Sequence, residues 1–265
     1  MGGLPLHEVP ETAQAAWSRL RDMLLPLLGD DLVAMWAHGG TTSISDPAHA
    51  GDLDTYVFVA QRPDPETARR IEEAQEAIAA EHDVDWDAWY VLVDDARGSD
   101  HPPHAWHEGR RDTSWAVQRA HWLAGRYVNL HGAEPHEIVT APTWGELAAE
   151  LDRELEHIER HVAEGDTDPY EATYAILNGS RILRSLATKD VVISKRAAGA
   201  WALEHLPARW HAALRAALRS YGGHGTAEDV DLLAAEMAPF VAFVRERLRA
   251  PTDRGADALP RWSGN

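Results

Sequence analysis

The sequence predicts an α+β protein: a small N-terminal α/β domain with a mixed sheet, followed by an all-α domain that forms a helical bundle. Up to about residue 100, short segments rich in β-forming residues alternate with amphipathic helices, which is the order of a small α/β layer. From residue 143 onward, apolar residues recur at helical spacing almost without interruption. We therefore expect domains at residues 1–135 and 136–250, and a flexible tail at residues 251–265.

The N-terminal half carries a separate signal for each of its elements. Apolar residues recur every three or four positions in the first helix, and Gly29 is a typical stop. Asp64 and Pro65 are a good cap and first-turn pair for the second helix. The strands are short segments that are continuously apolar or that alternate between apolar and polar residues. The predicted order is helix 11–28, strands 32–38 and 53–60, helix 64–82 and strand 84–93.

The C-terminal half follows a loop of Pro, His and Trp residues near 101–112. Beyond this loop, a helix is predicted at 113–125 and a short extended piece at 127–135. Gly and Pro residues punctuate the remaining helices. These helices are predicted near residues 143–164, 170–187, 194–205, 207–221 and 226–249.

The composition limits the compartment and the classes of partner. A formal net charge of −18 argues against a nucleic-acid partner, because phosphate backbones are bound by Lys and Arg, and it favours a small cationic substrate. No apolar run approaches the roughly 20 residues that span a bilayer, and the first residues lack the pattern of a signal peptide. The absence of Cys excludes disulfides and thiolate metal sites. We expect a cytoplasmic protein with no membrane partner.

The segment His38–Val59 carries the clearest chemical signal. Its diglycine turn, Gly39 and Gly40, is followed by a cluster of hydroxyl residues and then by Asp52 and Asp54 at the start of a strand, where alternation places both carboxylates on one face. Such carboxylates repel each other unless a cation lies between them, and Mg²⁺ suits carboxylates together with phosphates. A glycine turn brings backbone N–H groups up to a phosphate. The segment therefore predicts a site for a magnesium-bound nucleotide.

The third predicted strand supplies two further acids, Asp85 and Asp87. If this strand lies beside the second, one of these acids completes a three-carboxylate cluster with Asp52 and Asp54, which can hold one or two Mg²⁺ ions. The third acid can instead act as a base on an incoming hydroxyl. Nucleotidyl transfer requires such a cluster, since its catalysis is mostly placement and charge stabilisation.

These motifs resemble those of a known superfamily. An apolar-Gly-Gly turn, Asp-Leu-Asp entering a strand and a later strand acid are similar to the polymerase-β-type nucleotidyltransferases. The second half resembles the C-terminal helical domain of the aminoglycoside adenylyltransferases that modify streptomycin and spectinomycin, over AILNGSRILRSLATKD and ISKRAAGAWALEHLPARWHAALRAALRSYGG. In that family an Arg on one helix is followed by a Ser-Lys pair that opens the next, here Arg181 and then Ser194 and Lys195.

The resemblance implies an ATP- and magnesium-dependent enzyme that moves AMP to a hydroxyl of a small cationic substrate, an aminoglycoside or aminocyclitol antibiotic. It also implies a monomer. The residues it assigns are, for magnesium, Asp52 and Asp54; for the catalytic base, Asp87; for the nucleotide, Gly39, Gly40, Thr41, Arg181 and Lys195; and for the substrate, Asp87, Trp106 and Glu171.

Two departures from the family pattern bear on these assignments. The turn usually reads Gly-Ser, and here Gly40 stands in place of the serine, so that its phosphate contact is lost or comes from a hydroxyl at 41–43. The strand acid is usually Glu, whereas here it is the shorter Asp87, with Asp85 as the other candidate.

Two alternatives to an antibiotic-modifying enzyme remain open. The same chemistry can serve another small metabolite or a protein hydroxyl as acceptor. A degenerate nucleotidyltransferase can instead bind nucleotide without turning it over.

Overall fold

Two units make up the chain, Met1–Thr143 and Trp144–Asn265. For Thr41 and Asp52 the backbone alone is described. The computed structural model describes residues 2–42, 52–98, 101–165 and 168–249, so the predicted tail at 251–265 lies outside it.

The boundary between the units lies later than the predicted one at 135/136. A short helix at Pro135–Ile138 follows the last strand of the first unit. Ile138 and Val139 are buried in a core of that same unit, which keeps this segment on the N-terminal side.

The N-terminal unit contains every helix and strand that the sequence predicts for it. Two further helices, α3 and α5, are too short to show a periodic pattern. The elements are α1 (Glu11–Leu28), β1 (Leu32–His38), β2 (Asp52–Val59), α2 (Pro65–His82), β3 (Asp85–Leu92), α3 (Val93–Gly98), α4 (Trp115–Leu123), β4 (Val128–Gly132) and α5 (Pro135–Ile138).

The strands form one mixed sheet in the order β3-β2-β1-β4. β1 is antiparallel to both β2 and β4, whereas β2 and β3 are parallel and are joined through α2. The Asp64 side chain caps α2 by accepting the backbone N–H groups of Glu66 and Thr67 at 2.9 and 3.0 Å, as the Asp-Pro pair predicts. This crossover sets the alignment of β2 with β3.

The two faces of the sheet pack against different layers. One face, which includes Val57, packs against α1 and α2 and is called the α1/α2 face. The other is lined by aromatic rings and is called the aromatic face: the ring centroid of Trp36 lies 4.3 Å from that of Phe58 and 5.1 Å from that of Trp122. Because β2 alternates, the face that carries Phe58 also carries Asp54.

The loop before α4 is fixed to the outer edge of β3. The backbone N–H of Ala105 donates to the Tyr90 carbonyl at 2.8 Å. His104 is buried, and its Nδ1 accepts the backbone N–H groups of Trp106 and His107 at 3.3 and 3.2 Å. Burial, together with the neighbouring charges of His107 and Arg110, lowers the pKa of His104 to about 3. The imidazole is therefore neutral, as an accepting nitrogen must be.

The C-terminal unit is a helical bundle with α7 (Pro169–Thr188) at its centre, packed against α6 (Trp144–Glu164) and α10 (Ala227–Arg249) among others. Gly179 allows α7 to approach α10 closely, since a Cβ there would lie 2.8 Å from the ring of Phe240. Arg245 on α10 donates to both carboxylate oxygens of Glu159 on α6 at 2.8 and 2.7 Å. The helices are α6 (Trp144–Glu164), α7 (Pro169–Thr188), α8 (Lys195–His205), α9 (His211–Tyr221) and α10 (Ala227–Arg249).

No described helix combines the length and the apolar character that crossing a membrane requires.

The buried neutral state of His104 predicts a pH dependence of stability. Between its ordinary pKa of about 6.5 and its folded pKa of about 3, the unfolded chain binds a proton that the folded chain does not. The free energy of unfolding should therefore fall on acidification, with His104 contributing up to about 1.4 kcal/mol per pH unit. Urea unfolding between pH 7 and pH 5 measures this slope.

His104→Asn is the matched variant, because its side-chain oxygen can accept the same bonds and does not titrate. His104→Asn should make the free energy of unfolding less dependent on pH. His136→Asn, at an exposed position, is the control for the loss of any histidine. Equal slopes in wild type and His104→Asn would contradict this account of the loop.

Candidate active site

The register of β2 and β3 brings the predicted acids side by side. Asp54 is aligned with Asp87 and Asp52 with Asp85. Aligned residues on neighbouring strands share a face and lie about 4.8 Å apart. Asp54 and Asp87 are therefore adjacent on the aromatic face, at the end where β2 and β3 begin. The side chain of Asp52 lies outside the described atoms, so its pairing with Asp54 stays a prediction.

The diglycine turn is fitted to the Asp54 carboxylate. Gly39 has a φ of 85°, and a Cβ there would lie only 1.7 Å from Oδ2 of Asp54. No other residue type fits without displacing the carboxylate. Gly40 opens a short 3₁₀ turn, Gly40–Thr42, directly after it.

The hydroxyl cluster after the turn is only partly described. The Thr42 hydroxyl donates to the Gly39 carbonyl at 2.9 Å, and Thr42 is buried, so this hydroxyl stabilises the turn. The side chain of Thr41 and all of Ser43 lie outside the described residues. The phosphate contact that the resemblance implies for a serine is therefore either lost or made by Thr41 or Ser43.

A buried Tyr56–Asp112 pair lies beside the two carboxylates. The Tyr56 hydroxyl donates to the Asp112 carboxylate, which also accepts the Ser114 backbone N–H at 2.7 Å. Burial raises the pKa of Tyr56, and the negative charges of Asp112, Asp87 and Asp54 raise it further. The negative charges of three acids therefore all favour the protonated form of the Tyr56 hydroxyl.

Sequence reasoning missed both members of this pair. Strand alternation places Tyr56 on the face of Asp54, two residues away, which is a usable signal. Asp112 has no such signal, because its position depends on how the preceding loop folds around β3.

His38 is the neighbour of Asp54 on the other side. The two residues are aligned across β1 and β2, and the His38 ring lies 4.9 Å from the Tyr56 ring. Burial, with a smaller effect of His121, lowers the pKa of His38 to about 3. A neutral imidazole does not offset the negative charge of the aspartates. The end of the sheet where these residues lie therefore suits a cation. Among the described side chains, no three His, Asp or Glu form a complete metal site.

Trp106 is not among the side chains that the fold brings to the carboxylates. Its ring packs 4.4 Å from that of Tyr90, which belongs to the α1/α2 face, and its indole N–H donates to Glu72 at 2.7 Å. Asp87 and Tyr90 are three residues apart on β3 and therefore face opposite sides. A role of Trp106 in binding substrate stays a prediction.

The helical unit gathers the two predicted cations around tyrosine rings. Ser194 caps α8, accepting the Ala197 backbone N–H at 3.2 Å, so Lys195 opens that helix as predicted. The Lys195 ammonium lies 4.7 Å from the ring centroid of Tyr174 and 5.9 Å from that of Tyr221. These contacts hold a cation at a helix N-terminus, where the helix dipole opposes it. Both tyrosines are additions to the predicted site.

Arg181 belongs to the same cluster. Its guanidinium donates to the Asn178 side chain at 3.1 Å. Burial lowers the pKa of Arg181, while the charges of Glu154 and of the two tyrosines oppose that shift. The Tyr174 hydroxyl in turn donates to Glu154 at 2.8 Å. A desolvated guanidinium is favourably placed to bind an anion such as a phosphate.

Glu171 lies in the first turn of α7, three residues before Tyr174 and ten before Arg181. The side of α7 that carries Tyr170, Glu171, Tyr174 and Arg181 is called the stripe. Its Oε2 is 3.9 Å from Nδ1 of His161, and its side chain is 23% exposed. The predicted acidic position therefore has a carboxylate that a cationic ligand can reach.

Known proteins resemble this chain in its helical half and in its fold. Residues 146–247 match the family model described as aminoglycoside adenylyltransferase, C-terminal domain. The structure of spectinomycin adenyltransferase AAD(9) from Enterococcus faecialis, solved with ATP and spectinomycin, is similar with a TM-score of 0.67 and 15% sequence identity, over 86% of this chain and 98% of that chain. No curated protein sequence matches. The predicted family resemblance of the helical half and the predicted fold are confirmed.

The fit between Gly39 and Asp54 predicts a specific steric penalty. Gly39→Ala should lower the free energy of unfolding through its positive φ, by about 1–3 kcal/mol, and further through the clash with the Asp54 carboxylate. Chemical denaturation measures the loss.

Gly109→Ala is the matched control, because Gly109 has a φ of 80° with nothing within 4 Å of its added Cβ. Gly39→Ala should be the costlier change, and its excess should shrink in an Asp54→Ala background. Equal costs for the two glycines in the native background would contradict the described turn.

Proposed function

We propose, from the match of residues 146–247 to the aminoglycoside adenylyltransferase family model, that the protein transfers AMP from ATP to a hydroxyl of an aminoglycoside or aminocyclitol antibiotic. The family match over residues 146–247 is the observation that carries the proposal. The shared fold with an adenyltransferase solved with ATP and spectinomycin supports it. The net charge of −18 suits a cationic acceptor.

The residues of the N-terminal unit fit a magnesium-bound triphosphate. Asp52 and Asp54 would hold Mg²⁺, and the donor set is right for it, since carboxylate oxygens are the hard ligands that Mg²⁺ prefers. When bound, the ion would neutralise charge on the triphosphate. The Gly39–Gly40 turn would present backbone N–H groups to a phosphate, with Thr41 beside them.

The remaining groups position the reactants and move one proton. Asp87, which is exposed, would take the proton of the acceptor hydroxyl on a carboxylate oxygen. The acceptor oxygen would then form a bond to the α-phosphorus of ATP as the bond to pyrophosphate breaks. Arg181 and Lys195 would bind the nucleotide phosphates, and Glu171 would bind an ammonium group of the acceptor.

Pyrophosphate release tests the proposal as a whole. With ATP and Mg²⁺, release should depend on added spectinomycin or streptomycin. If ATP with Mg²⁺ stabilises the protein but no aminoglycoside elicits pyrophosphate, the antibiotic acceptor is contradicted and one of the two alternatives, another acceptor or a binding module, takes its place.

The roles of the acids differ, and their variants should differ accordingly. Asp54→Asn should abolish transfer and weaken stabilisation by ATP with Mg²⁺. Asp87→Asn should lower kcat by roughly 100- to 10,000-fold while that stabilisation remains, because a base is needed only for chemistry. Asp85→Asn, one residue pair away on the same strand face, is the control and should stay within a few-fold of wild type.

Steady-state kinetics and thermal shift on the same preparations separate these roles. Loss of nucleotide stabilisation in Asp87→Asn would make Asp87 a metal ligand. A larger defect in Asp85→Asn than in Asp87→Asn would assign the base to Asp85.

The chain's two lysines provide a matched pair for the phosphate role. Lys195→Met should raise the KM for ATP by about 10-fold or more, since a charged hydrogen bond to phosphate is lost. Lys189→Met removes the other lysine, which lies 4.2 Å from the Trp144 ring centroid, and should leave that KM unchanged. Similar KM values in the two variants would remove Lys195 from the nucleotide site.

A further inference from the structure

Tyr170 is the one large apolar side chain that is exposed among the described residues, with 62% of its surface accessible. It is the second residue of α7, and its backbone N–H is fixed by the Asp168 side chain at 2.8 Å. A single exposed aromatic residue is ordinary on a protein surface. The residues near Tyr170, however, indicate a role for it in binding a ligand.

Within the helical unit, an acid, a second ring and a cation follow Tyr170 along α7 and on to α8. Glu171, with its 23% exposed carboxylate, is the adjacent residue. The Tyr174 ring lies one turn further along α7, with its centroid 6.0 Å from that of Tyr170. Beyond it is the Lys195 ammonium, 4.7 Å from the Tyr174 centroid. The stripe therefore runs from an exposed ring and an acid to the cations assigned to the nucleotide.

The order of groups along this stripe separates two subsites. Tyr174 is engaged at both its hydroxyl, which donates to Glu154 at 2.8 Å, and its ring, which contacts Lys195. It thus belongs to the cationic, nucleotide end. Tyr170 and Glu171 lie at the other end, where successive positions of one helix carry an exposed ring and a partly exposed carboxylate.

This pair of groups matches the chemistry of one class of ligand. A saturated, hydroxylated ring presents C–H groups that pack on an aromatic face, and an ammonium substituent is attracted both by that face and by a carboxylate. We propose that Tyr170 is the aromatic wall of the acceptor subsite and, with Glu171, determines specificity for aminocyclitol rings. The inference rests on the proposed function and gives Tyr170 a role of the kind that the family resemblance implies for Trp106.

Steady-state kinetics with spectinomycin as acceptor test the assignment. Tyr170→Ala should raise the KM for spectinomycin about 10-fold while the KM for ATP changes less than about twofold. Tyr170→Phe keeps the ring and should behave as wild type. Tyr170→Leu keeps apolar bulk without a π face and should resemble Tyr170→Ala. Because Tyr170 is exposed, thermal unfolding of the free variants should match wild type.

The outcomes separate this inference from the proposed function. An active wild-type enzyme whose Tyr170→Ala variant keeps its KM for spectinomycin, or loses affinity for ATP equally, would overturn the role of Tyr170 alone. Wild-type protein that releases no pyrophosphate with any aminoglycoside would overturn the proposed function and, with it, this subsite.

Discussion

The parallel pairing of β2 with β3 is the constraint on which the carboxylates of the aromatic face depend. It aligns Asp54 with Asp87, and a shift of one residue would move one of them to the α1/α2 face. α2 joins the two strands, and the turn at Gly39 presses against Asp54 from the neighbouring strand. One crossover and one glycine thus fix the position of the acidic groups before any ligand arrives.

The charged clusters of the two units differ in sign. In the N-terminal unit, aspartates lie at the edge of a buried aromatic layer, next to a His38 that burial keeps neutral. In the helical unit, Arg181 and Lys195 are held against tyrosines and the carboxylate of Glu154. Carboxylates suit a metal ion and a cluster of cations suits phosphates, and the magnesium-bound nucleotide that we propose would need both. The net charge of −18 suits the cationic acceptor that we propose.

Much of this could be predicted from the sequence, because hydrophobic periodicity and capping residues are local. The bounds of α1 and β1, the acids of β2 and β3, and Lys195 at the start of α8 all follow from short patterns. What could not be predicted depends on loops and on distant contacts. The side of the sheet that Trp106 occupies, and the contact of Asp112 with Tyr56, depend on how the loop before α4 packs around β3. Neither feature can be predicted from the two-residue period of a strand or the 3.6-residue period of a helix.

Locating the divalent metal in a crystal of the protein with ATP and Mn²⁺ would test the central claim most directly. Anomalous scattering should place a Mn²⁺ ion on the aromatic face between the carboxylates of Asp52 and Asp54, at about the 2.0–2.6 Å typical of oxygen ligands, with Asp87 on the same side. A bound nucleotide whose metal contacts neither aspartate would contradict it.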